Sequence, residues 1–252
     1  MMRRPLIMGN WKMNGSLMAN ESLLTGLADQ VASLNGIDIA VCPSFIFIPQ
    51  ALELTANTPI KVGAQNLSDQ DRGAFTGEVS GEMIRDLGCA YVLTGHSERR
   101  SLYGETSQLV AEKTLKALEL GLVPVLCIGE TLEERQSGQM NAVLEEQVNA
   151  VVDLCGADTF AQIVIAYEPV WAIGTGETAT PQQAQDAHAF VRSLIAKHNS
   201  DIAERVTILY GGSMNDKNAA ELLAMADVDG GLVGGASLKA DSFATICRAA
   251  AN

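Results

Sequence analysis

Eight short apolar runs recur along this 252-residue chain, and a stretch of helical periodicity follows each of them. The runs are Leu6–Met8, Ile37–Cys42, Lys61–Gln65, Ala90–Thr94, Val123–Ile128, Ile163–Tyr167, Val206–Tyr210 and Gly231–Val233. Most are continuously apolar rather than alternating, so both faces of each strand need cover. A parallel sheet with helices packed against it supplies that cover. The intervening segments carry helix-start signals. Thr180-Pro181-Gln182-Gln183 and Thr131 with Glu134 both read as capping boxes, the first with proline at the opening helical position. Apolar positions then fall at helical spacing through Ala184, Ala187, Val191 and Leu194, and again from Ala142 to Leu154. Eight strand–helix units in this length fit a closed barrel better than an open sheet. The expectation is an α/β protein, a single (β/α)8 barrel domain over residues 1–252.

In such a barrel the active site forms where strands end and the following loops begin. Those ends hold the chain's most reactive side chains. The first run leads into Gly9-Asn10-Trp11-Lys12 and the fourth into Gly95-His96-Ser97-Glu98. The sixth stops at Glu168, because Pro169 cannot continue the ladder. Val170, Trp171, Ala172 and Ile173 then lie between that proline and two glycines. A loop with an apolar middle and flexible ends can close over a ligand and shut out water. A glutamate beneath it is a candidate general base, whose pKa burial is expected to raise. Lys12 reads as an anion anchor or a rim charge. His96 precedes an apparent helix start at Ser97, which is expected to lower its pKa and keep the ring neutral. The two other histidines, His188 and His198, follow Pro181 and read as surface residues.

Two glycine pairs, Gly211-Gly212 before Ser213 and Gly234-Gly235, are expected to open helices whose N–H groups receive a phosphate. Gly174-Thr175-Gly176-Glu177-Thr178-Ala179 matches the spacing of a dinucleotide-binding turn. Six residues separate it from the strand, however, and no carboxylate lies about twenty residues on. No cofactor is expected. A net charge of −13 speaks against nucleic acid or an anionic membrane as partner. A small anion remains compatible, since charges beyond a Debye length of about 8 Å are screened. The five cysteines are scattered without a CxxC pair, and the first residues hold too short an apolar stretch for a secretory leader. A cytoplasmic protein without a metal is expected.

Several segments together resemble the triosephosphate isomerase family over nearly the whole chain. They include Gly9-Asn10-Trp11-Lys12-Met13-Asn14-Gly15, Gly95-His96-Ser97-Glu98-Arg99-Arg100, Ala166-Tyr167-Glu168-Pro169-Val170-Trp171, Tyr210-Gly211-Gly212-Ser213 and Leu232-Val233-Gly234-Gly235. The resemblance implies a TIM barrel that interconverts dihydroxyacetone phosphate and glyceraldehyde 3-phosphate. It implies Glu168 as base, His96 as electrophile, Lys12 and Asn10 as stabilisers of the developing oxyanion, and Glu98 as a partner ordering Lys12. Gly174, Ser213, Gly234 and Gly235 would hold the phosphate. It also implies a homodimer in which the loop carrying Phe75 and Thr76 reaches a neighbouring site. The residues alone leave open a Schiff-base aldolase using Lys12. A barrel without catalysis is disfavoured by the presence of every expected acid, base and anion-binding group.

Overall fold

The computed structural model describes residues 3–173 and 177–251. Eight parallel strands close on themselves in chain order: β1 (Leu6–Asn10), β2 (Asp38–Cys42), β3 (Ile60–Ala64), β4 (Tyr91–Thr94), β5 (Val123–Ile128), β6 (Val164–Tyr167), β7 (Thr207–Tyr210) and β8 (Gly230–Val233). Each coincides with a run read from the sequence to within two residues. The (β/α)8 barrel is therefore the observed fold.

Around the strands lie α1 (Leu17–Val31), α2 (Ile48–Thr55), α3 (Gly81–Leu87), α4 (Ser97–Tyr103), α5 (Ser107–Glu119), α6 (Leu132–Gln136) and α7 (Met140–Cys155). The ring continues with α8 (Pro181–Ala196), α9 (Ser200–Ala203), α10 (Ala219–Leu223) and α11 (Ala240–Ala250). Both capping boxes form. Thr131 receives the Glu134 N–H and Thr180 the Gln183 N–H, and each partner side chain bonds back. Neighbouring helices pack side by side, α1 against α2 and α11, and α7 against α5 and α8.

The strands are apolar on both faces because the barrel has two cores. Leu6, Met8, Ala40, Cys42, Leu93, Val125, Cys127, Ala166, Leu209 and Leu232 fill its interior. Ile7, Ile39, Val41, Val62, Val92, Leu126, Ile165 and Ile208 point outward under the helices. Cys127 is one more interior hydrophobe. Among the described residues no helix is long and apolar enough to cross a membrane.

Closure requires β8 to lie along β1, pairing Leu6 with Gly230 and Gly9 with Val233. Gly230 has φ +150°, and a Cβ there would fall 1.9 Å from the Leu6 carbonyl oxygen. Only glycine satisfies both the dihedral and the approach. Gly230→Ala is expected to lower the unfolding free energy by about 2 kcal/mol or more, read from the urea midpoint. An unchanged midpoint would show that this contact does not constrain closure.

Candidate active site

The C-terminal ends of β1, β4, β6, β7 and β8 surround one cavity of about 340 Å³, lined by Asn10, Lys12, His96, Glu168, Ser213, Gly234 and Gly235 among others. The barrel thus brings together the candidate residues contributed by five separate strands. Gly174 lies outside the described residues.

Glu168 is buried just beyond β6. Its Oε2 accepts the Ser97 backbone N–H at 2.8 Å, the opening amide of α4. Its Oε1 lies 3.0 Å from His96 Nε2 but is otherwise without a hydrogen-bond partner. Burial pushes the Glu168 carboxyl up, as the sequence led us to expect. The facing His96 and the Ser97 N–H outweigh burial, however, and leave it below its ordinary value.

His96 caps α4. Burial pushes its pKa down, but Glu168 and then Glu98 push harder in the other direction, so the ring lies above its ordinary value while Glu168 faces it. This corrects the expected lowering. The helix N-terminus acts instead on the tautomer: the Glu98 backbone N–H donates to His96 Nδ1 at 3.2 Å. A neutral ring therefore carries its proton on Nε2, the nitrogen that faces the cavity side of Glu168.

Lys12 has φ +53°, and it is the one non-glycine residue with positive φ among those described. Such a backbone persists only where its surroundings over-determine it. Three contacts do so. The Lys12 N–H donates to Asn10 Oδ1 at 3.0 Å, while the Lys12 carbonyl accepts Gln65 Nε2 at 2.8 Å and Ser44 Oγ at 3.0 Å. Gln65 Nε2 also donates to the Cys42 carbonyl at 2.9 Å. Beyond this clamp, Lys12 Nζ meets Glu98 Oε1 at 2.5 Å. Gln65 and Ser44 were not singled out in the sequence.

The glycine pairs differ from expectation. Gly211-Gly212 opens no helix, because the Gly211 N–H donates to the Tyr167 carbonyl at 2.7 Å and α10 begins only at Ala219. Gly211 instead leaves room for the Glu168 side chain: a Cβ there would lie 2.8 Å from Glu168 Cγ. The second pair does lead into a 3-10 turn, Gly235–Leu238. Ser213 donates through both its N–H and its hydroxyl to the Ala172 carbonyl, at 3.2 and 2.6 Å, so it holds the segment after Glu168.

Glu130, in Cys127-Ile128-Gly129-Glu130, was given no role from the sequence. Its buried Oε1 accepts Tyr167 Oη, Trp171 Nε1 and Arg135 Nη1, each at 3.0 Å. His188 is not on the surface but fully buried in α8, whereas His198 is exposed beyond the helix.

An adjoining cavity of about 450 Å³ shares Asn10, Lys12 and His96 with the first and is walled by Met13, Phe45, Leu102 and Tyr103. Arg99 also lines it and is held at 2.6 Å by buried Glu105, which takes Lys113 at 2.5 Å as well. Among the described residues no group of three His, Cys, Asp or Glu side chains is placed to hold a metal ion.

A buried carboxylate, an imidazole with a directed N–H and an ammonium around one polar cavity at a barrel mouth define an acid–base enzyme of the (β/α)8 class. A family model described as triosephosphate isomerase matches residues 5–250. Similar proteins named triosephosphate isomerase include those of Nitrosococcus oceani and Nitrosomonas eutropha. Each is 53% identical; the first aligns over 99% of this chain and 100% of the relative, the second over 99% of both. That of Hydrogenovibrio crunogenus is 51% identical over 99% of both chains. The chain belongs to the triosephosphate isomerase family.

The wall of the second cavity yields a pH prediction. Burial pushes the Glu105 carboxyl up, but hydrogen bonds from Lys113 and Arg99 bring it below its ordinary value. A carboxyl with a depressed folded pKa contributes stability that is complete above the unfolded value of about 4.3 and lost as pH falls through the lower folded value. Urea midpoints of the parent protein should therefore drop from about pH 5 downward more steeply than those of Glu105→Gln. Parallel profiles would contradict the assignment.

Proposed function

We propose that this protein interconverts dihydroxyacetone phosphate and glyceraldehyde 3-phosphate by moving one proton between adjacent carbons. The observation that carries the reading is the convergence of Glu168, His96 and Lys12 in one cavity, with Ser213, Gly234 and Gly235 also on its wall. The phosphate end is proposed to sit at those last three residues and at Gly174. The carbonyl oxygen then faces His96 Nε2, Lys12 and Asn10.

To act, Glu168 leaves the His96 ring and takes a proton from the carbon next to the carbonyl. The C–H electron pair forms the enediol carbon–carbon double bond while the carbonyl π pair moves onto oxygen. The Nε2–H of His96 and the Lys12 ammonium stabilise that oxyanion inside a desolvated pocket. Glu168, now protonated, returns its proton to the neighbouring carbon, while the Nε2–H of His96 goes to the oxyanion and the ring recovers a proton from the other hydroxyl, so the carbonyl re-forms one carbon along. Once separated from the imidazole, the carboxylate loses the group that lowers its pKa, and burial then makes it a stronger base. Glu98 keeps the Lys12 ammonium in place through its ion pair. A Schiff-base aldolase needs a free amine, whereas Lys12 Nζ lies in that ion pair.

The apolar segment after Glu168 is proposed as a lid. Residues Val170–Ala172 form a 3-10 turn, joined to the loop after β7 through Ser213 and to the loop after β5 through Trp171 and Glu130. Closing it excludes water, which strengthens the electrostatics and keeps the enediol from losing its phosphate. All five cysteines are free thiols, in keeping with a reducing compartment, and the cytoplasm is the proposed location.

We further propose a homodimer. Met13, Ile46, Leu102 and Tyr103 are more than two-thirds exposed, and three of these four line the cavity beside Lys12. Phe75 is 45% exposed. Exposed apolar groups concentrated beside an incomplete site fit a second copy inserting its loop of residues 67–78, with Phe75 and Thr76 near the tip.

Two measurements test these readings. Glu168→Gln should lower kcat by about 10²–10⁴-fold in a coupled assay, and unchanged turnover would remove Glu168 from the proposed role. Thr76→Arg together with Phe75→Ala should shift sedimentation to monomer and reduce turnover at least about ten-fold. A fully active monomer would refute completion of the site by a partner.

A further inference from the structure

Arg100 is a charged group that the chemistry above does not use. It lies in α4, half-buried, and lines a cavity of about 260 Å³ together with Ser97, Gly129 and Glu168. Glu168 therefore touches two cavities, this one and the one it shares with Lys12 and His96. Among the described residues the guanidinium meets two carbonyls and a hydroxyl but no carboxylate. Nε donates to the Gly95 carbonyl at 2.9 Å, Nη2 to the Cys127 carbonyl at 3.2 Å and Nη1 to Ser107 Oγ at 3.3 Å. Burial pushes its pKa down, yet a guanidinium stays charged at physiological pH. Withdrawing a charge from water without a counterion is costly. What the guanidinium holds supplies a reason for bearing that cost.

The Arg100 N–H donates to the His96 carbonyl at 3.1 Å while its side chain takes the Gly95 carbonyl. One residue thus grips the peptide groups before and after His96. The second of those peptides supplies the Ser97 N–H that holds Glu168 Oε2. On the other side, Cys127 directly precedes Ile128, whose carbonyl accepts the Glu168 main-chain N–H at 2.7 Å. Glu168 is therefore fixed by its side chain to the turn after β4 and by its main chain to β5. Arg100 ties those two elements to each other. The turn leaves space for it: Gly95 has φ +70°, and a Cβ there would fall 2.9 Å from Arg100 Nη2. A planar guanidinium can reach two carbonyls at once, whereas a lysine ammonium is a single point charge.

We propose that Arg100 is a positioning residue for the isomerisation: its guanidinium braces the turn carrying His96 and Ser97 against the end of β5 and so sets where the imidazole stands relative to Glu168. The proposal rests on the isomerase reading above. It assigns Arg100 no contact with substrate. The 3.0 Å between His96 Nε2 and Glu168 Oε1 is the separation that the brace maintains. Electrophile and base must address the same two carbons, and a misplacement of about 1 Å can cost about 100-fold in rate. Ser213, Gly234 and Gly235 follow β7 and β8, outside the brace, so the phosphate end of the site is untouched by it.

The test compares Arg100→Ala with Arg100→Lys, which keeps the charge but loses the planar fork. Isomerisation kinetics, thermal melting, and binding of 2-phosphoglycolate and of inorganic phosphate are measured for each. Both variants are expected to lose about 100-fold in kcat with little change in KM. 2-Phosphoglycolate, whose carboxylate reads the placement of His96, should bind at least about ten-fold more weakly. Inorganic phosphate, which reads the phosphate end alone, should bind as it does to the parent. Millimolar guanidinium chloride should restore turnover of Arg100→Ala saturably, and sodium chloride at the same ionic strength should not. If kcat per folded molecule stays at the parent value while only the melting temperature falls, the role is structural and the inference fails. Full recovery in Arg100→Lys also overturns it, since charge alone would then suffice. Should Arg100→Ala fail to fold, the ratio of the two ligand affinities in Arg100→Lys carries the comparison, and an unchanged ratio overturns the brace. Absence of isomerisation in the parent protein would overturn the underlying reading, whereas unchanged variants of an active parent overturn this inference alone.

Discussion

Everything at the mouth of this protein depends on β8 reaching β1. In an open sheet the ends of β1 and β6 would stand on separate stretches of edge, and Lys12 would have no reason to meet Glu168. Closure through Leu6 and Gly230 turns a linear order of strand ends into a ring. Residues 156 positions apart in the chain then share a cavity of about 340 Å³. Glycine is required at the seam because the backbones approach too closely for any side chain. The helices follow from this closure, since the outer face of a closed parallel sheet must be covered everywhere.

Within that ring, backbone groups set the state of the reactive side chains. Two successive amides at the start of α4 act on different partners. The Ser97 N–H holds Glu168, and the Glu98 N–H fixes the tautomer of His96. The other carboxylate oxygen of Glu168, 3.0 Å from the imidazole, accepts no further bond, which leaves the carboxylate held on one side only. On the opposite wall, left-handed backbone at Lys12 is maintained by side chains from the end of β1 and from just beyond β2 and β3. Strain of this kind, stabilised from three elements, fixes where the ammonium emerges. The site is therefore preorganised mainly by hydrogen bonds to main chain, which are insensitive to surface charge. A net charge of −13 spread over the surface therefore does not disturb that arrangement.

The eight strands were readable because two cores make both strand faces apolar, leaving continuous runs that stand out from the helical periods. Thr131 and Thr180 were readable for a local reason: a capping box is complete within four residues. Strand-end polar residues were readable because a barrel presents them on one side. Contacts between distant segments were not. Gln65 clamps Lys12 across 53 positions, and nothing around it announces that role. The Gly211 N–H is committed to the Tyr167 carbonyl, a bond between adjacent strand ends that no local pattern encodes. His188 misled because Gln185, Asp186 and Arg192 surround it in sequence. Gln185 and Arg192 in fact bond Asp227, whose carbonyl also lies against His188 Nδ1. The pKa of Glu168 was misjudged for the same reason: burial is visible in an apolar neighbourhood, but the facing imidazole 72 residues earlier is not.

The account stands or falls on whether one bound molecule touches all three reactive side chains. A crystal structure of the protein with 2-phosphoglycolate, a stable analogue of the enediolate, measures this directly. The expected map places the analogue's carboxylate within about 3 Å of His96 Nε2 and Lys12 Nζ, and its phosphate against Ser213, Gly234 and Gly235. Glu168 should have turned away from the Ser97 N–H toward the analogue's carbon. An analogue bound at the mouth with Glu168 still on Ser97, or bound away from Lys12 and His96, would contradict the mechanism.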